Sequence, residues 1–268
     1  LSHYLKKNGY DLTVVGLPKT VDNDVYPISQ TLGAWTAAEQ GAIFFENIVN
    51  ENTTSTRQLI IHEVMGRNCG WLTAKTASNY RKRLKKRVFM PELLIDKDRW
   101  DIDAIYIPEI DFNFQTEVDR LKEKINKKDG VNIFLSEGAG LEMIVREMKN
   151  NGDSIPRDAF GHVKLDEINP GQWFAKQFSE ALNVEKTLVQ KSGYFSRSAK
   201  PNDRDLELIK SSSRLAAKFS LDQKSGVVGR DIEHNDELCL IEFTRIKGGK
   251  PFNHRVLWFE EMLNDIGQ

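Results

Sequence analysis

Short apolar runs that stop abruptly on polar or glycine-containing turns, with helix-period stretches after most of them, constrain this chain more than any other feature. Asp11 to Leu17, Arg57 to Val64, Ala104 to Ile107, Val131 to Leu135, Thr187 to Ser192 and Leu238 to Phe243 read as strands. Most are too evenly apolar to be half-exposed, which is the pattern of parallel strands covered on both faces. Between them, Gly33 to Val49, Gly70 to Tyr80, Phe114 to Lys128, Gly171 to Leu182, Asp203 to Phe219 and His254 to Ile266 carry apolar residues at helical spacing. Strand and helix in alternation predict an α/β fold in which parallel strands are joined by crossover helices. Ser29 or Thr31 is the expected cap of the first long helix. Val88 to Trp100 reads as a loop with a short strand, and Gly226 to Asn235 as a turn-rich stretch.

Open α/β sheets bind ligands beyond the carboxyl ends of their strands, so chemistry should sit on the residues just after each run. The first such stretch, Leu17 to Val25, reads LPKTVDNDV. It places a lysine, a hydroxyl and two carboxylates together, at Lys19, Thr20, Asp22 and Asp24. One acid could serve as a base and the other as a partner for a magnesium ion in phosphoryl transfer. Asp and Asn are also ordinary turn formers, and spacing alone leaves both readings open. After the second strand come Met65, Gly66 and Arg67. A helix N-terminus following a glycine turn presents free N–H groups to an anion, and a guanidinium matches phosphate; a plain turn with a surface arginine is the alternative. Glu137, within Ser136-Glu137-Gly138, is either a contact for sugar hydroxyls or an acid at a helix N-terminus.

These stretches together resemble the phosphofructokinase family. PKTVDND is similar to the family's PGTIDND-type signature, and Met65-Gly66-Arg67, Ser136-Glu137-Gly138 and Gly193-Tyr194-Phe195-Ser196-Arg197 follow in the family's order. The resemblance implies two Rossmann-like three-layer α/β/α domains with mostly parallel sheets, the first incomplete. Residues 1–33 and 196–250 would belong to a phosphoryl-donor domain. Residues 34–195 and 251–268 would form a fructose 6-phosphate domain. The family's Gly-rich donor loop has no counterpart here, so the chain is expected to be a fragment of a longer enzyme, inactive without that loop.

The resemblance also implies roles. Asp22 would be the base that deprotonates the sugar's C1 hydroxyl, with Lys19 and Arg67 beside it in catalysis. Thr20, Val21, Asp22, Met65, Gly66, Arg67, Glu137, Tyr194 and Arg197 would bind substrate. Asp24 would stand near Mg²⁺, whose main ligand would lie outside this chain. Lys19 occupies a position where ATP-dependent members carry glycine, which resembles the pyrophosphate-dependent members. A lysine supplies charge for a donor that has no adenosine to grip, and its bulk would crowd a nucleotide. Two further arginines, lent between subunits in ATP-dependent members, are not matched. Arg57 is one residue out of register with the first and Leu188 stands at the second, with Lys191 or Lys186 able to compensate. A homo-oligomer is expected.

Composition bounds the rest. The 268 residues are 40% apolar and 29% charged with a formal net charge of −1, so no global field draws polyanions. No apolar run approaches the roughly 20 residues of a membrane span. Only Cys69 and Cys239 are present, which fits a reducing, cytoplasmic setting better than a disulfide framework. Arg81 to Arg87 (RKRLKKR) is the one basic run. It lacks interleaved aromatic residues and reads more readily as a solvated helix end than as a nucleic-acid footprint. The competing functions are an ATP-dependent phosphofructokinase and a non-catalytic subunit that binds sugar phosphate.

Overall fold

In a computed structural model, residues 2–93, 95–159, 161 and 163–268 are described. The elements run α1 (Ser2–Lys7), β1 (Val15–Gly16), α2 (Ala34–Ile48), β2 (Gln58–Val64), α3 (Trp71–Leu84), β3 (Ala104–Tyr106), α4 (Phe114–Lys128), β4 (Gly130–Ser136) and α5 (Leu141–Asn151). They continue with α6 (Leu165–Ile168), α7 (Pro170–Leu182), β5 (Lys186–Lys191), α8 (Gly193–Arg197), α9 (Asp203–Leu221), β6 (Gly226–Asp231), β7 (Glu237–Ile241) and α10 (Leu257–Ile266).

Two sheets result. The larger has the order β3-β4-β2-β5 and is wholly parallel. Its central strands alternate sharply between two cores. Ile60 and Val64 of β2 face α2, α3 and α10, where Phe45, Tyr80 and Phe259 are fully buried. Leu59 and Ile61 face α4 and α7, where Leu121, Phe174 and Phe178 are fully buried. At about 1.5–3 kcal/mol for each large apolar side chain removed from water, these two layers hold the fold. His62 shares the first core, stacked on Phe45 with Phe44 and Phe134 alongside. Burial pushes its pKa down to about 3, so the ring stays neutral.

The smaller sheet, β1-β6-β7, is mixed. β1 pairs parallel with β6, and β6 pairs antiparallel with β7. Ile28, Val227 and Ile241 form its core, and α9 lies across all three strands. Here the sequence expectations need correction. Of the expected strand Asp11 to Leu17 only Val15 and Gly16 pair, and Leu12 and Leu17 are exposed. The stretch expected to be turn-rich begins as a strand: Gly226–Asp231 pairs with β1 and β7, and only the residues joining β6 to β7 turn. Gly229 sits against Ile28, which a Cβ would meet at 2.9 Å, so a glycine here marks close packing. α5 is an element beyond those expected, although Leu141, Ile144, Val145 and Met148 fall at helical spacing.

The expected Ser29 or Thr31 cap is not what starts α2. Gly33 is its N-cap residue with φ 90° and offers no side chain. The cap comes from α9. Asp205 accepts hydrogen bonds from the Gly33 N–H at 2.9 Å, the Thr36 N–H at 2.7 Å and the Thr36 hydroxyl at 2.5 Å. α3 is served likewise: Glu109 accepts the Gly70 N–H at 2.9 and 3.0 Å and the Phe252 N–H at 2.7 Å. The Gly171 N–H in the first turn of α7 donates to Glu63 of β2 at 2.9 Å. Three helices thus have their N-terminal N–H groups met by carboxylates from distant segments.

Candidate active site

The carboxyl ends of β2, β4 and β5 open into one cleft of about 330 Å³, lined by Glu63, Met65, Arg67, Glu137, Lys191, Tyr194 and Arg197 among others. Two loops at the mouth are pressed together. Gly66 has φ 133°, a backbone state L side chains rarely adopt, and its carbonyl accepts the Ser136 hydroxyl at 2.6 Å. The Gly66 N–H donates to Glu137 Oε1 at 3.3 Å and the Glu137 N–H to the Val64 carbonyl at 2.9 Å. Glu137 is therefore fixed by the loop that carries Arg67. Burial is the main cause that raises its pKa, helped by Asp22 and Glu63 and opposed by the Gly66 N–H and Arg67.

The loop after β1 faces the same place. It is organised by Asn23, a buried residue in the left-handed region at φ 58°. Asn23 Nδ2 donates to the Ser29 carbonyl at 3.0 Å, and its Oδ1 accepts the Thr31 N–H at 2.8 Å and the Thr31 hydroxyl at 3.1 Å. Thr31 in turn donates to the Thr20 carbonyl at 2.7 Å. From behind, the Lys250 N–H donates to the Asp24 carbonyl at 2.7 Å and Lys250 Nζ to the Ile28 carbonyl.

This frame sets Asp22 with one carboxylate oxygen, Oδ1, buried and free of any hydrogen bond. Burial raises its pKa most, and Asp24 raises it further, while Arg197 and Arg67 pull it down. An acid so placed is a stronger base than an ordinary aspartate, and the two arginines favour its ionised form.

The expected site residues divide as follows. Met65, Arg67, Glu137, Tyr194 and Arg197 line the cleft, and Asp22 lies within electrostatic reach of Arg67, Arg197 and Glu137. Val21 is buried in the apolar core, so its side chain does not face the cleft. Thr20 accepts the Asp22 N–H on its hydroxyl at 3.2 Å. Lys19 is exposed on the same loop, bridged to Leu32 through the backbone.

Arg57 is at the opposite end of β2 from the cleft, bonded to the Leu182 and Asn183 carbonyls and to Asn126. Lys186 is likewise at the far end of β5, paired with Glu51 at 3.2 Å. Lys191 reaches the cleft and pairs with the buried Glu63 at 2.9 Å. Glu63 and Asp166 are lining residues that sequence reasoning missed. Glu63 carried a signal, as the one acid in the strand Arg57 to Val64; Asp166 carried none.

Asp24, two residues from Asp22 and close enough to raise its pKa, is a carboxylate that fits Mg²⁺, which is usually held by one or two carboxylates plus substrate phosphates. Among the described residues no group of three or more His, Cys, Asp or Glu could hold a metal alone.

The phosphofructokinase family model matches residues 1–219. The chain belongs to the phosphofructokinase family. Its relatives include pyrophosphate--fructose 6-phosphate 1-phosphotransferases of Methylomonas methanica, 55% identical, and of Propionibacterium freudenreichii subsp. shermanii, 51% identical. Each alignment takes in 100% of this chain and 66% of the relative. That of Mastigamoeba balamuthi is 53% identical over 100% of this chain and 65% of its own length. The chain thus spans a little under two thirds of these relatives. Among solved structures, the pyrophosphate-dependent phosphofructokinase from Marinobacter aquaeolei superposes with a TM-score of 0.63 at 21% identity, over 99% of this chain and 62% of that one. At that identity the likeness shows a shared phosphofructokinase fold. No helix among the described residues is long and apolar enough to cross a membrane.

Proposed function

We propose that this chain supplies the fructose 6-phosphate side, and part of the donor side, of a pyrophosphate-dependent 6-phosphofructokinase. The reaction would convert fructose 6-phosphate and pyrophosphate to fructose 1,6-bisphosphate and phosphate, reversibly, in cytoplasmic glycolysis and gluconeogenesis. One observation carries the reading: Asp22, with a buried oxygen free of hydrogen bonds, lies within electrostatic reach of both Arg67 and Arg197 at the mouth of the cleft.

Arg67, Arg197 and Lys191 hold the sugar's 6-phosphate in the cleft, with Tyr194 able to donate one hydrogen bond. Met65 and the Gly66 backbone line the sugar's approach, and Glu137 takes its hydroxyls. Asp22 accepts the proton from the C1 hydroxyl as that oxygen attacks the nearer phosphorus of pyrophosphate; the far phosphate leaves. Thr20 and the backbone at Val21 lie on the transfer path, and Lys19 neutralises the diphosphate. Mg²⁺ beside Asp24 would supply further charge neutralisation on the moving group.

Residues 1–33 and 196–250, which include the small sheet, form the donor side. Residues 34–195 and 251–268, which include the large sheet, form the sugar-phosphate side. The enzyme acts as a homo-oligomer. The protein that contains this chain should be assayed with each phosphoryl donor and fructose 6-phosphate. Faster turnover with ATP than with pyrophosphate would overturn the donor assignment, and sugar-phosphate binding without turnover would make this a regulatory subunit.

A further inference from the structure

Away from the cleft, the outer faces of α2, α3 and α9 meet around a second cavity of about 240 Å³. Its walls are Trp35, Glu39, Lys75, Asn79, Lys82, Arg83, Asn202 and Arg204. Of the six cations in the basic run at the end of α3, two are ion-paired with acids outside this cavity's walls and a third is held by an amide and two rings. Arg81 pairs with Asp101 and Asp265, Arg83 with Glu46, and Arg87 bonds Asn50 and lies over Phe89 and Trp100.

Three cations around this cavity are not neutralised. Lys75, Lys82 and Arg204 have no ion pair among the described residues. Lys75 lies over the Trp258 ring at 5.1 Å and Arg204 over Trp35 at 4.2 Å. Lys75, Asn79 and Lys82 share one face of α3 by their spacing. The single acid on the wall, Glu39, is engaged by Asn202 Nδ2 at 2.6 Å. Lys75 is half-buried, and burial together with Lys82 and Arg204 lowers its pKa. Holding that ammonium charged beside two like charges costs stability, and an anion in the cavity would offset it.

We propose that this cavity binds a small phosphate-bearing anion at a site separate from the sugar-phosphate cleft. The guanidinium of Arg204 offers a planar fork for phosphate oxygens, the two ammonium groups add charge, and the Asn79 amide adds a donor. Drug-sized ligands need pockets of at least ~300 Å³, so the space suits inorganic phosphate or a compact phosphorylated metabolite and is small for a nucleotide. The indole of Trp35 in the wall gives the site an optical reporter.

The test uses the protein with Arg67→Ala and Arg197→Ala, which weaken phosphate capture in the cleft. Inorganic phosphate is titrated at low ionic strength by calorimetry and by tryptophan fluorescence. Saturable binding with a fluorescence change is expected to persist. Adding Lys75→Gln and Arg204→Gln should weaken it by about tenfold or more, the scale of lost charge-assisted hydrogen bonds. Lys82→Gln, at an exposed position, should weaken it less, with an unaltered thermal melt to show that folding is intact. Trp35→Phe should reduce the optical change and leave the calorimetric binding. The proposal is overturned if the Arg67 and Arg197 double variant binds no phosphate, or if the added substitutions leave affinity unchanged. Citrate bound as tightly as phosphate would also overturn it, since the site would then select charge alone.

Discussion

Gly138 packs its Cα directly against the backbone of Arg67: a Cβ at that position would lie 1.8 Å from the Arg67 carbonyl oxygen. The contact locks the tip of β4 onto the loop after β2, so Glu137 and Arg67 are placed as one unit. Backbone cannot swing aside as a side-chain end can, so Gly138→Ala should force the two loops apart. Overpacking of this kind costs about 1–3 kcal/mol, to be read from the urea midpoint. A displacement near 1 Å at Arg67 should lower turnover by about 10²-fold. Unchanged stability and turnover would mean that the loops are freer to separate than this packing implies.

Asp22 should show its role in a pH profile. Burial and Asp24 raise its pKa above the usual 3.8, and a general base must be ionised. Activity should therefore fall on the acid side at a higher pH than an unperturbed aspartate would give. Asp24→Asn removes a charge that disfavours ionisation of Asp22, so the acid limb of kcat/KM should move to lower pH whatever happens to its height. Asp22→Ser should lower kcat by about 10²–10⁴-fold while the affinity for fructose 6-phosphate, measured by calorimetry, stays nearly intact. An acid limb that does not move in Asp24→Asn would assign it to another group.

The proposed preference for pyrophosphate rests on Lys19. This lysine is exposed on the loop that holds Asp22, free to meet a diphosphate. Lys19→Gly should raise the KM for pyrophosphate by about tenfold or more, as expected for a lost hydrogen bond from a charged donor, and leave the KM for fructose 6-phosphate little changed. An unaltered pyrophosphate KM would remove Lys19 from the donor site.

What was legible in the sequence is what local pattern encodes. α4 runs over Phe114–Lys128 as its spacing predicts, and the structure adds an Asn113 cap whose Oδ1 accepts the Thr116 N–H at 3.0 Å. The strand tips bearing Arg67, Glu137 and Arg197 were readable because parallel strands deliver their ends to one side. β6 was not, since Gly226, Gly229 and Asp231 have turn composition and only their partners across the sheet make them a strand. Asp231 illustrates this: buried, it takes Arg245 at 2.7 and 3.0 Å, a pairing no local spacing announces. Nor could Leu12 and Leu17 be known as exposed from their own apolar run. The helix caps fail for the same reason, because the residue that meets each N-terminus lies far along the chain.

The farthest-reaching of those caps gives the last prediction. Asp205 is fully buried and accepts three hydrogen bonds at the start of α2, while its own N–H donates to Asn202 at 3.0 Å. Asn202 also donates its backbone N–H to the Thr36 hydroxyl at 3.0 Å, so the two helix starts cap each other. Asp205→Ala would leave the Gly33 and Thr36 N–H groups without acceptors. A lost cap and stranded donors together should cost about 2–3 kcal/mol. Asp205→Asn keeps one acceptor oxygen and should cost roughly half of that. Because α2 begins where the Lys19–Leu32 loop ends, the alanine variant should also lose turnover beyond its loss of folded protein. Urea titration and activity per folded molecule separate the two effects. A variant as stable and as active as the parent would show that α2 starts independently of α9.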